Sequence, residues 1–185
     1  MSLITRSWLS FAAIGAGIIH LALVISSPLP AGIVLALLGL GEITWGIAIL
    51  VRDRLLLPRI AQVGAIAPLV LWSLLVVVAT LLNSPGIASP LRFLPMGIAA
   101  MFELFVAGVL SAYLRRQADS AQSADEAPAL PAKPASAARD LAAVLIGGVL
   151  VGALTTPALA ATQAGAVALE HGGTMGGMMT DMGHH

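Results

Sequence analysis

Two groups of residues in this 185-residue chain have types and spacings that could do chemistry. The first is the C-terminal run EHGGTMGGMMTDMGHH, Glu170 to His185. It carries His171, Met175, Met178, Met179, Met182, His184 and His185, loosened by glycines at 172, 173, 176, 177 and 183. Thioether sulfur is a soft, neutral ligand suited to Cu(I), whereas imidazole also suits Cu(II), zinc and nickel. Four of the seven methionines and three of the four histidines fall in residues 171–185, and this density distinguishes the run from an ordinary polar terminus. The chain has no cysteine, so soft-metal ligation can only fall to methionine. The seven named residues are therefore expected to bind a metal ion, with copper as Cu(I) favoured and zinc or nickel as alternatives. A solvated terminus without function is the bland alternative.

The second group is His20, Glu42 and Glu103, three ionisable side chains inside otherwise apolar blocks. A charged carboxylate at mid-membrane costs about 2.5–3.5 kcal/mol even on the lenient insertion scale, so two at similar depth are expected to point inward. Counting along each block at about 1.5 Å per residue places both glutamates near the centres of their spans and His20 slightly to the outer side. They are expected to share a proton or to pair with His20. The functional reading is a proton or metal relay. The architectural alternative is a polar clasp that holds helices together in lipid.

Both groups depend on the elements that carry them. The chain is 58% hydrophobic and only 10% charged, against roughly a quarter charged in soluble domains. Mean hydropathy is +0.97, and the apolar residues come in unbroken blocks long enough to span a bilayer. The expected fold class is an all-α integral membrane bundle in contact with the lipid bilayer. Four spans are expected at 8–26, 31–51, 60–82 and 91–114, making residues 1–116 a four-helix bundle. Residues 117–139, rich in Ala, Ser and Pro, read as a disordered cytoplasmic linker. A fifth transmembrane helix is expected over 140–160, and residues 161–185 form the Met/His-rich tail. The alternative for the fifth block is an internal signal-like segment, cut after Ala160 at an A-x-A-like site.

Arg6, Arg52, Arg54, Arg59, Arg115, Arg116, Lys133 and Arg139 all fall on one side if the spans alternate, and only Arg92 falls on the other. The positive-inside rule then predicts a multi-pass protein of the cell membrane, N-terminus cytoplasmic and tail extracytoplasmic. Gly15, Gly17, Gly39, Gly41, Gly46, Gly148 and Gly152 read as close-packing positions between helices; Met96, on the same side as Glu103, reads as core filler, and Met101 points to a different face. A net charge of zero offers nothing to nucleic acid. The absence of a nucleophile elbow, of a His/Glu zinc motif and of cysteine argues against an enzyme.

A His in the first span, a Glu in the second, Glu103–Leu104 in the fourth and TTPALAAT from Thr155 to Thr162 precede the His-rich tail. In this layout the chain resembles multi-span membrane proteins of high-GC Gram-positive bacteria, whose short motifs have no assigned roles. The three-one-three steps between Met175, Met178, Met179 and Met182 are similar to those of methionine-rich copper segments. The resemblance implies membrane residence and extracytoplasmic metal. Three functions are open at this point: copper capture or homeostasis through the external tail, a small proton-coupled transporter or channel built on the His/Glu layer, and an accessory subunit with other membrane subunits as partners.

Overall fold

The structure, a computed structural model, describes residues 2–52, 54–83, 92–122, 137–168 and 170. The described residues form five long helices and no strand: α1 (Leu3–Val24), α2 (Leu29–Arg52), α3 (Pro58–Leu81), α4 (Phe93–Gln122) and α5 (Ala137–Ala160). All five are long and apolar enough to cross a membrane. The ladder within each helix satisfies its own backbone polar groups, which lipid cannot do. Pro68 and Pro157 sit inside α3 and α5 without ending them. Residues 117–122, expected to open the linker, are helical instead, because α4 continues to Gln122. The run RRQADSAQ contains no glycine or proline, and Ser120 Oγ and Gln117 Nε2 donate one turn back to the Arg116 carbonyl and the Tyr113 hydroxyl. The central part of that linker, residues 123–136, lies outside the described residues.

α1 is the hub, packing against α2, α4 and α5, while α3 is held chiefly by α4. The sequence accounts for this: FAAIGAG supplies alanine and glycine around the helix, so neighbours can approach from three sides. Ala12, Ala13, Gly15, Ala16 and Gly17 are all buried. Neighbours are largely antiparallel. Ser10 Oγ donates to Gly46 O and Gly17 meets Gly39 across α1 and α2; Gln62 Nε2 donates to Ser111 Oγ across α3 and α4. α5 runs parallel to α1, with the Trp8 indole donating to Ala143 O and its ring pressed on Gly147, and with Gly15 against Val151 and Thr155.

The glycine expectation holds in part. Gly15, Gly17, Gly39 and Gly46 face close neighbours, but a side chain at Gly41 or Gly152 would meet open space, and at Gly148 only the Phe11 ring at 3.9 Å. Spacing alone cannot say which face of a helix meets protein and which meets lipid. Met96 is buried in the core as expected; Met101 is largely exposed.

Candidate functional site

His20 lies one turn before the end of α1, Glu42 in the middle of α2, and Glu103 in the first half of α4. Their meeting follows from helix geometry. Each Cα–Cβ bond tilts toward the N-terminus of its own helix. In the antiparallel pair α1 and α2, the side chains of His20 and Glu42 therefore lean toward each other across the Gly17–Gly39 contact. The Cβ of His20 lies beside Gly39, and the Cβ of Glu42 beside Gly17.

The imidazole bridges the two acids. His20 Nδ1 is 2.9 Å from Glu42 Oε2, and His20 Nε2 is 3.4 Å from Glu103 Oε1. One ligating atom from each residue falls within 4.8 Å of the others. The His20 and Glu103 side chains are 0% and 2% exposed, and that of Glu42 14%. The first contact is a hydrogen bond, with Nδ1–H donating to the carboxylate when the ring proton is there. The second is an approach without a hydrogen bond, so His20 Nε2 and Glu103 Oε1 are buried facing each other and unpartnered. Buried polar atoms of this kind are costly to leave without a partner.

The two ring nitrogens point to opposite edges, so a single metal ion could take only one of them. An ion at Nε2 would be held by that nitrogen and Glu103, with Glu42 fixing the ring through Nδ1–H, the usual support of a ligating histidine. One nitrogen and carboxylate oxygen form a hard-to-borderline set, suited to zinc or manganese more than to Cu(I).

The carboxylates are reached from one side. A cavity of about 330 Å³ lies between α2 and α3, backed by α1 and α4, with Glu42 and Glu103 in its wall. It exists because α2 and α3, although consecutive, share no substantial interface. The turn between them is held by the Trp45 indole donating to Leu56 O, and Leu57 is in the left-handed region with φ of 48°. The remaining lining is apolar apart from backbone, with Leu57, Ile60 and Ala61 at the end nearer Arg52 and Arg59.

Of the residues singled out from sequence, the structure brings His20, Glu42 and Glu103 together. His171, Met175, Met178, Met179, Met182, His184 and His185 lie outside the described residues. Sequence reasoning missed the cavity, the role of Trp45 as its wall, and the polar ties Ser10–Gly46 and Gln62–Ser111. A polar residue in each of three spans was the available signal for those ties. No signal marked the gap between two consecutive helices. Comparison with protein families, with curated proteins and with solved structures returned no match.

Proposed function

We propose that this membrane protein moves protons through the His20–Glu42–Glu103 site, as a small proton-coupled transporter or channel. The observation that carries the reading is the imidazole set between two carboxylates, one at each ring nitrogen. A proton held on Glu103 passes to Nε2 as the 3.4 Å gap closes, and the ring releases its Nδ1 proton to Glu42. The net result is one proton moved from Glu103 to Glu42, with the ring returned as the other tautomer. Glu42, the more exposed acid, exchanges with the cavity. A clasp would need only one carboxylate on the ring. The second is what a relay adds.

Orientation is part of the proposal. Arg6, Arg52, Arg54, Arg59, Arg115, Arg116 and Arg139 cluster at one end of the alternating helices, and Arg92 stands at the other. That asymmetry supports a cytoplasmic N-terminus, an extracytoplasmic tail and residence in the cell membrane. The test is proton flux into proteoliposomes under an imposed potential, read by an internal pH dye. Wild type is expected to exceed empty vesicles, and Glu103→Gln, Glu42→Gln and His20→Asn to fall to that background. Wild type at background, or variants equal to wild type, ends the reading.

The density of ligands in residues 171–185 supports a second reading, in which the external tail captures copper. A Cu(I) competition titration with and without residues 170–185 separates the two. Tail-dependent binding supports capture; equal binding by both chains removes it.

A further inference from the structure

The cavity between α2 and α3 is too large for a proton and has the wrong walls for a hydrated ion. Among the described residues its polar side chains are the carboxylates of Glu42 and Glu103, and no lysine or arginine lines it. Once Glu103 has given up its proton, two carboxylates face one imidazole, and even a fully protonated ring then leaves one negative charge unmatched. Leaving such a charge buried is costly. The rest of the wall is aliphatic or aromatic, offering none of the six or more oxygens a hard cation takes. A volume of about 330 Å³ is that of a small-molecule site.

We propose that this cavity binds a lipophilic ammonium ion: a primary or secondary amine whose N–H groups face Glu42 and Glu103 and whose alkyl or aryl body lies along Trp45. The inference rests on the proton reading, because the ammonium takes the place of the proton at the same carboxylates and so couples its own movement to proton release. The ligand enters from the bilayer between α2 and α3, on the half nearer Arg52 and Arg59, where Leu57 and Ile60 line the cavity and are about two-thirds exposed. Gly41 and Gly64 both line the cavity and a Cβ at either would meet nothing within 4 Å, so a leucine at either takes up cavity volume.

The test uses the full chain in lipid nanodiscs, with 12-bromododecylammonium as the probe and 12-bromododecanol as its neutral counterpart. Tryptophan quenching is read in wild type and in Trp45→Phe. Saturable quenching by the ammonium, about tenfold tighter than by the alcohol and lost in Trp45→Phe, is the expected result. Gly64→Leu and Gly41→Leu, each first shown to melt as one folded species, are expected to abolish it, and the Glu42→Gln/Glu103→Gln double variant to erase the preference for charge. Equal quenching by the two probes, or saturation that survives both leucine variants, would overturn the proposal. Proton flux in the vesicle assay without ammonium binding removes this inference and leaves the proton reading. Ammonium binding without flux does the reverse.

Discussion

Gly17 and Gly39 bring the backbones of α1 and α2 into contact, so close that a Cβ on either would sit 2.6 Å from the carbonyl oxygen of the other. His20 and Glu42 flank this contact, so their 2.9 Å hydrogen bond depends on it. Gly17→Ala and Gly39→Ala are each expected to lose about 1–3 kcal/mol through overpacking, measured by unfolding in mixed micelles. Gly108→Ala, whose new methyl meets open space, is expected to be neutral or to gain up to about 1 kcal/mol. Equal effects at all three positions would falsify the close approach.

Removing the imidazole leaves Glu42 and Glu103 facing each other. His20→Ala is expected to cost about 3–5 kcal/mol, the range for breaking a buried charged network by removing one partner. Adding Glu42→Gln and Glu103→Gln to it should recover most of that loss, because neutral amides can share hydrogen bonds. The check is a melting series of the single and triple variants. A triple variant no more stable than the single would show that the lost stability comes from packing and not from charge.

The chain has no cysteine, so engineered pairs report proximity without background. Ala13→Cys with Gly46→Cys is expected to cross-link on mild oxidation, since a Cβ at Gly46 would lie 3.5 Å from that of Ala13, within disulfide reach. Leu38→Cys with Gly64→Cys, on opposite walls of the cavity, is expected not to, a disulfide needing Cα atoms within about 7 Å. Efficient cross-linking of the second pair would mean that α2 and α3 are closed against each other.

Ala158 is fully buried and α5 runs unbroken to Ala160, with the Arg92 guanidinium donating to Ala161 O just beyond it. A peptidase needs its substrate extended, and this bond is not, since the Ala161 N–H still donates to the Pro157 carbonyl. The intact mass of protein purified from membranes is therefore expected to include residues 161–185. A mass ending at Ala160 would support the signal-like reading of this segment.

Five spans were legible because twenty-odd apolar residues in a row have few other uses. Helix ends were legible only where proline or glycine intervenes. Pro58 marks the start of α3 well, but nothing in RRQADSAQ marks Leu114 as an end, and α4 passes through it. The site was legible from cost: three ionisable groups at similar depth have few places to go but toward one another. What depth cannot supply is azimuth, the direction in which each face of a helix points. Hence Gly41 and Gly46, five residues apart on one helix, were read alike, although one faces a cavity and the other Ser10 and Ile14. The packing order was partly visible in the small residues of α1. The gap between α2 and α3 was not, because short connections usually join neighbours that touch.

The hub position of α1 also orders the molecule in time. Of the five helices it is synthesised first, yet it carries the buried Ser10 and His20, whose partners Gly46, Glu42 and Glu103 emerge later. Until α2 follows, the imidazole has no acid beside it, and until α4 follows it has only one. The membrane therefore receives the polar centre of this protein in instalments. α2 and α4 are met by groups already waiting on α1, whereas α3 gains its main partner only when α4 arrives after it.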